Sequence, residues 1–256
     1  MGRVAGKVAL VTGAAMGIGK GASVALAAEG ASVIVADINE EVGAQTVDEI
    51  TAAGGKAVFQ HCDVSKTNDM QAAVQRAVSE YGGFHILVNN AAVAIPGSVT
   101  DISEDDWNRV LNTNLTSVWR GMKYGIPVML ENGGGSVINM SSVQALIGFQ
   151  GWSAYAAAKG AINSLTQQAA AEYSRRGVRI NAIVPGTIMT PLNEKIFAEH
   201  DDPDALIANW NSIHPIGRFG EMHEVGAAVL FLASEESSFI TGTLIRVDGG
   251  LAIKGD

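Results

Sequence analysis

Tyr155-Ala156-Ala157-Ala158-Lys159 places a phenol and an ammonium four residues apart at the start of a helix-period segment. That spacing puts both side chains on one helical face. An ammonium beside a phenol stabilises the phenolate and lowers its pKa from about 10 towards working pH. Such a pair suits general acid/base transfer of an alcohol proton. Ser142 ends the apolar run 136–140 and sets a hydroxyl at a strand's carboxyl end, just ahead of the Tyr155 helix. Asn114 lies inside another helix-period segment, where an amide is costly unless it finds a partner. A Y-x-x-x-K pair alone is common on solvated helix faces, so its weight comes from these neighbours.

A second constellation sits near the N-terminus. The run Thr12-Gly13-Ala14-Ala15-Met16-Gly17-Ile18-Gly19 follows a β-branched stretch and enters a helix pattern. Glycines at 13, 17 and 19 permit a tight turn, and the helix start then offers free N–H groups to a pyrophosphate. Asp37 ends the next strand-like run, where a carboxylate can accept hydrogen bonds from both adenosine ribose hydroxyls and repel a 2′-phosphate. Neither Met16 nor Ile38 supplies a cation to welcome such a phosphate, so NAD is expected over NADP. The alternative for Asp37, a helix N-cap, is more natural for Asn39.

These groups need elements to hold them. Strand-like runs fall at 8–11, 32–36, 57–62, 86–88, 136–140, 179–184 and 244–247, with helix-period segments near 18–29, 40–53, 67–81, 104–130, 154–175 and 222–233. The strands read as continuous apolar runs, which marks a parallel sheet covered on both faces. The alternation predicts a single-domain, doubly wound α/β Rossmann fold over 1–256, with a seven-stranded parallel sheet and helices on both faces. Residues 187–215 break the rhythm with three prolines and the anchors Phe197 and Trp210, and are expected to form a substrate lid at the sheet's carboxyl edge.

Composition narrows the class. The chain has 256 residues, 47% hydrophobic, with 17 basic against 26 acidic residues and a net charge of −9. Acidity without a Lys/Arg run argues against nucleic-acid binding. One cysteine, Cys62, excludes an intramolecular disulfide framework and fits a reducing compartment. The five histidines show no metal-ligand spacing, so no metal is expected. No signal peptide or bilayer-length apolar run is seen, and a soluble cytoplasmic protein is expected, without a membrane partner.

Taken in order, the glycine run at 12–19, Asp63-Val64, Asn89-Asn90-Ala91-Ala92, Asn114, Ser142, Tyr155, Lys159, Pro185-Gly186 and Asp248-Gly249-Gly250 resemble the short-chain dehydrogenases/reductases over essentially the whole chain. The resemblance implies that Tyr155 exchanges the substrate proton while Ser142 holds the same oxygen. Lys159 would lower the Tyr155 pKa and bind the nicotinamide ribose, and Asn114 would anchor a water leading to solvent. Asp63 and Val64 would flank the adenine, with Asn90 and Ala91 along the cofactor. Ile188 and Thr190 would hold the carboxamide and so choose the nicotinamide face. Two positions depart from the family pattern: Ala92 stands where glycine is more frequent, and His85, expected at a surface or strand edge, stands where an acid is usual.

The pocket residues expected from the loops after strands four to six and from the lid are Gln144, Gln150, Trp152, Met189, Leu192 and Trp210, with Val93, Ala94, Asn193 and His214 as further candidates. The set mixes apolar walls with amides and carries no Arg, so a carboxylate finds no bidentate partner. A neutral secondary alcohol or ketone (a sugar, polyol or cyclic alcohol) is the expected substrate. Hydroxysteroids and hydroxy acids are the alternatives. A non-catalytic NAD-binding regulator, or a dehydration or epimerisation enzyme with retained NAD, are the rival classes. The Ala/Ser/Gly-rich helix 154–173 packs closely against something, either the chain's own sheet or, as the resemblance implies, a partner within a homotetramer.

Overall fold

The computed structural model describes residues 2–198 and 200–253, apart from the side chain of Leu192. Its strands are β1 (Val8–Thr12), β2 (Ser32–Asp37), β3 (Lys56–His61), β4 (Ile86–Asn89), β5 (Gly135–Met140), β6 (Val178–Pro185), β7 (Ile188–Met189), β8 (Gly220–Glu221) and β9 (Leu244–Val247). The α-helices are α1 (Gly17–Ala28), α2 (Glu40–Ala52), α3 (Thr67–Tyr81), α4 (Glu104–Val110), α5 (Ser117–Glu131), α6 (Ser153–Tyr173), α7 (Pro191–Ala198), α8 (Pro203–Ser212) and α9 (Met222–Ala233). Seven strands form one sheet in the order β3-β2-β1-β4-β5-β6-β9, all parallel, while β7 and β8 pair separately.

Strand periodicity explains the two-sided cover. Along β1, Ala9 and Val11 join a core layer with Ala22 and Leu26 of α1 and with Val225 and Val229 of α9. The alternate residues Val8 and Leu10 face the opposite layer, with Met70 of α3, Val118 and Ile126 of α5 and Ile162 of α6. Since both faces are buried, most strand positions are apolar, and each fully buried Val or Leu contributes about 1.5–3 kcal/mol. Helices α1 and α9 approach closely through glycine: a Cβ on Gly226 would lie 2.7 Å from Gly21 O, and one on Gly21 would lie 2.6 Å from Met222 O.

The strand order reverses between β1 and β4, and that switch point opens a crevice at the sheet's carboxyl edge, where open α/β sheets take ligands. Two loops enter it, the glycine turn after β1 and Asn89–Ala92 after β4. A buried polar chain braces the region from below. Asn89 Nδ2 donates to Asn139 Oδ1 (2.9 Å), and Asn139 Nδ2 donates to Thr166 Oγ1 of α6 (3.0 Å). Gly121 makes room for it, since a Cβ there would meet Asn89 Oδ1 at 2.2 Å.

The helix expected over 104–130 is interrupted. A π-helical turn, Leu111–Thr116, separates α4 from α5. Asn114 inside it is fully buried, and its Oδ1 accepts from Val93 N (2.8 Å) while its Nδ2 donates to Val93 O (2.9 Å). The wider turn inserts this amide between Val110 and Ser117, which are also buried, without turning either outward. His85 also does more than sit at an edge: it is half-buried, and its Nδ1 accepts from Val8 N (3.1 Å) at the amino end of the sheet.

Candidate active site

The glycine turn is shaped by contacts that forbid a side chain. Gly13 and Gly17 have φ of 62° and 59°, in the left-handed region that glycine enters freely. A Cβ at Gly19 would lie 2.1 Å from Gly13 O, so the turn closes directly on the start of α1. Asn90 clamps it: its Nδ2 donates to Thr12 O (2.9 Å) and Gly13 O (3.0 Å). Thr12 Oγ1 in return accepts from Asn90 N (3.0 Å) and Ala91 N (3.2 Å). The two loops at the switch point are thus one hydrogen-bonded unit.

A cleft of about 1,200 Å³ runs over this unit, lined by Gly13, Met16, Gly17, Ile18, Asp37, Ile38, Cys62, Asp63, Val64, Asn90, Ala91, Val93 and Thr190 among others. Asp37 is anchored by its own neighbours, with Oδ2 accepting from Ala15 N (3.0 Å) and Oδ1 from Asn39 N (3.0 Å). Asn39, as the sequence suggests, caps α2 by accepting from Val42 N (3.1 Å). Asp63 accepts from Ser65 N (3.0 Å) and Ser65 Oγ (2.6 Å), and these bonds with Lys66 hold its carboxyl below the usual range. Burial pushes the Cys62 thiol up to about 12, which makes it a poor nucleophile. The fit of a dinucleotide rests on this cradle: helix-start N–H groups exposed by glycine for the pyrophosphate, and a fixed carboxylate at the end of β2 for a ribose.

The cleft continues into a smaller cavity of about 350 Å³, whose wall includes Ser142, Tyr155, Lys159, Pro185, Gly186, Ile188 and Thr190. Lys159 Nζ donates to Met140 O (2.7 Å) and lies 5.4 Å from the centre of the Tyr155 ring. Burial draws the Lys159 pKa down to about 8. Burial also raises the Tyr155 pKa, against a hydrogen bond from Ser142 that lowers it. In the protein alone the Ser142 hydroxyl, rather than Lys159, opposes the effect of burial on the phenol. Ser141 Oγ donates to Lys159 O (3.1 Å) and fixes β5 to α6 at this point.

Of the substrate residues expected from sequence, Gln144, Trp152 and Trp210 line the cavity, as do Ala94 and Asn193. Leu192 falls outside the described side chains. Gln150 and Met189 are not among the residues lining the cavity: Gln150 is exposed on the loop after β5, and Met189 pairs with Glu221 in the β7–β8 ladder. His214 is structural rather than a pocket group. It is 2% exposed, its Nε2 accepts from Thr187 N (3.2 Å), and its Nδ1 therefore donates to Trp210 O (2.8 Å). Phe149, Ile196 and Ile213 also line the cavity. Phe149 lies on the loop after β5, and Ile196 and Ile213 belong to the 187–215 segment, where Phe197 packs edge-on to Trp210 (5.3 Å) and stacks on Phe219 (5.4 Å) and so brings α7 and α8 beside the cavity.

Similarity to known proteins agrees with this arrangement. A family model described as enoyl-(acyl carrier protein) reductase matches residues 13–252. The chain is 43% identical over 249 residues to cyclohexanol dehydrogenase of Acinetobacter sp. (strain SE19), covering 97% of this chain and 96% of that one. It is 38% identical over 251 residues to 2,5-dichloro-2,5-cyclohexadiene-1,4-diol dehydrogenase of Sphingobium indicum, covering 98% of each. The crystal structure of levodione reductase superposes with a TM-score of 0.94 at 31% identity, over 99% of this chain and all of that one. The chain is a short-chain dehydrogenase/reductase. It is an oxidoreductase, and members of this family use a nicotinamide dinucleotide, NAD or NADP. Among the described residues no helix is long and apolar enough to cross a membrane, and no group of three or more His, Cys, Asp or Glu could hold a metal ion.

Proposed function

We propose that, within the dehydrogenase chemistry its family performs on secondary alcohols, this chain oxidises a small neutral cyclic alcohol and takes NAD rather than NADP. The observation that carries the substrate class is the composition of the 350 Å³ cavity. Beside Tyr155 and Ser142 its wall includes the apolar Phe149, Trp152, Ile188, Ile196, Trp210 and Ile213 and the neutral polar Asn90, Gln144, Thr187, Thr190 and Asn193, and its one ionisable side chain besides Tyr155 is Lys159. A cavity near the lower end of the usual range, about 300–1,000 Å³, with largely apolar walls, neutral polar groups and no carboxylate or Arg suits a compact uncharged ring. The relatives named for cyclohexanol and a cyclohexadiene diol support the same class.

The cofactor supplies the hydride acceptor when bound. Tyr155, as phenolate, takes the hydroxyl proton of the substrate while the carbinol C–H bond gives up its hydride, and the alcohol becomes a ketone. Ser142 holds the same oxygen. Lys159, tethered to Met140 O, presents its ammonium near the phenol and to the nicotinamide ribose. The Asn114 amide bonds both Val93 N and Val93 O, which fixes the turn from which Asn114 would hold a water. Asp63 and Val64 would flank the adenine, Asn90 and Ala91 line its path, and Pro185, Gly186, Ile188 and Thr190 face the nicotinamide end.

NAD preference is read from Asp37, fixed at the end of β2 beside the glycine turn. The cleft's one described lining cation, Arg109, belongs to a different element, α4. A homotetramer remains the expected assembly, in the cytoplasm. It is supported by Gly160 on α6, where a Cβ would meet nothing within 4 Å, and by Trp119 on the adjoining α5, 43% exposed. A helical glycine costs about 1 kcal/mol relative to alanine, and nothing within the chain requires it at this position. The test of function is steady-state oxidation of cyclohexanol and cyclopentanol with each cofactor. The proposal expects turnover with NAD and kcat/KM about 10- to 100-fold lower with NADP, the cost of about 1–3 kcal/mol for a phosphate near a carboxylate. Turnover confined to charged hydroxy acids would overturn it.

A further inference from the structure

The pyrophosphate cradle depends on which way its peptides face. Among the described residues the backbone N–H groups of Met16, Gly17, Ile18 and Gly19 have no acceptor, and the first three of these residues line the cleft. One carbonyl stands where it could consume them. Ala15 O lies four residues before Gly19 N and three before Ile18 N, the ordinary helical spacings, so a further turn of α1 could close on it. It accepts instead from Thr46 Oγ1 of α2 (2.8 Å), on a residue 1% exposed. Ala15 N is held as well, donating to Asp37 Oδ2 (3.0 Å). Residue 15 is thus pinned at both ends, from α2 and from the end of β2.

Peptide geometry carries this constraint to the next residue. In a trans peptide the C=O and the following N–H point in opposite directions. Drawing Ala15 O towards α2 therefore turns the Met16 N–H away from α2, on a residue that opens to the cleft. Neighbouring carbonyls are committed too: Thr12 O and Gly13 O to Asn90 Nδ2, and Met16 O to Lys20 N (3.2 Å). Donors therefore predominate in what the turn offers a ligand, and an anion is what donors at a helix start bind. We infer that Thr46 is a positioning residue for the cofactor's pyrophosphate. Its hydroxyl keeps Ala15 O from the N–H groups of α1 and so leaves them to the phosphates. This rests on the dinucleotide reading of the cleft and extends it to α2, since Thr46 is not among the residues lining the cleft.

The experiment measures Kd for NADH by fluorescence, and for ADP-ribose and adenosine by competition against it, in the wild type and three variants. Thr46→Val keeps the side-chain shape without the hydroxyl, Thr46→Ala removes both, and Thr46→Ser keeps the hydroxyl. Val and Ala are expected to weaken NADH and ADP-ribose by about 3- to 10-fold, the worth of one buried hydrogen bond, with adenosine within about twofold of wild type. Ser is expected to restore the affinity for ADP-ribose, and the Ser-to-Ala comparison stands even if the valine protein fails to fold. Where an alcohol is turned over, the loss should fall on KM for NAD rather than on kcat. Wild-type affinity for ADP-ribose in Val and Ala, whatever their stability in urea, overturns the inference and leaves the hydroxyl a part of the fold alone. Equal losses for adenosine and ADP-ribose overturn the assignment to the pyrophosphate, because the effect then runs through Asp37 and the ribose. A serine variant as weak as the alanine one overturns the role of the hydroxyl. Failure of the wild type to bind ADP-ribose or NADH overturns the dinucleotide reading itself.

Discussion

Replacing Gly19 by alanine tests whether the glycine turn is built for close approach or only for flexibility. Two effects of opposite sign compete. Alanine is the better helix former by about 1 kcal/mol, and position 19 lies in the first turn of α1. Against that, its Cβ would sit 2.1 Å from Gly13 O and 2.6 Å from Asn90 Nδ2. Comfortable carbon contacts begin at roughly 3.5 Å, so the Gly13 carbonyl would have to retreat by more than about 1 Å. Overpacking of this kind costs about 1–3 kcal/mol, and the two Asn90 bonds that hold the turn would add about 0.5–1.5 kcal/mol each if broken. The clash therefore outweighs the helix gain, with a net destabilisation of about 1–5 kcal/mol. Displacing the cradle by about 1 Å is also expected to weaken NADH binding by about 100-fold. Urea unfolding and NADH fluorescence titration read the two effects separately. Gly82→Ala serves as a control, since that glycine has φ of 77° but open space and lies far from the cleft in sequence. It should cost about 1–2 kcal/mol with NADH affinity unchanged. A Gly19→Ala protein with wild-type stability and wild-type NADH affinity would refute the close-approach argument.

Other predictions concern pH, selectivity and assembly. Burial lowers the His85 pKa, followed by the nearby Lys7 charge, and the ring accepts from Val8 N. Its contribution to stability is therefore complete above the unfolded-state value of about 6.5 and is lost as pH falls through the lower folded value. Urea midpoints of wild type and His85→Gln measured across that range should converge at the acid end. With the Tyr155 pKa held up by burial, alcohol oxidation should accelerate towards alkaline pH as the phenolate forms, and ketone reduction should show the opposite trend in pH–rate profiles. Asp37→Ala should bring the NAD-to-NADP ratio of kcat/KM down by about 10-fold or more. It should also lower the unfolding free energy by about 1–3 kcal/mol, because Ala15 N and Asn39 N lose their acceptors. Gly160→Ala should stabilise an isolated chain by up to about 1 kcal/mol. If subunits pack there, light scattering will show instead a shift from four times the 26.6 kDa chain mass towards smaller species.

Much of the sheet was legible because its signal is local. Buried parallel strands are continuous apolar runs, and the observed β1, β2, β4, β6 and β9 lie within one residue per end of the runs at 8–11, 32–36, 86–88, 179–184 and 244–247. The spacing of Tyr155 and Lys159 and the glycine run were legible for the same reason. What escaped depends on contacts between distant segments. The π turn at Leu111–Thr116 exists because Asn114 reaches Val93, and no periodicity in 104–130 announces it. Asn139 and Thr166 look like ordinary strand and helix residues until Asn89 is placed beside them. His214 had the composition of a pocket residue, yet Thr187 and Trp210 occupy both of its nitrogens. Gln150 and Met189 missed the cavity because residue type cannot tell which way a loop turns. Gly121 carried a usable hint, a glycine within a helix pattern, since such a residue often marks close packing.

The central claim is that Tyr155 handles the proton of a cyclic alcohol while the rest of the site holds NAD. The most direct test is NADH formation from cyclohexanol and NAD by the wild type and by Tyr155→Phe, with NADH affinity measured on both proteins. The account predicts turnover by the wild type, a loss of about 10²–10⁴-fold or more in Tyr155→Phe, and similar NADH affinity in the two. Retained turnover in Tyr155→Phe would show that another group moves the proton, and a wild type that binds NADH yet oxidises no ring alcohol would contradict the account.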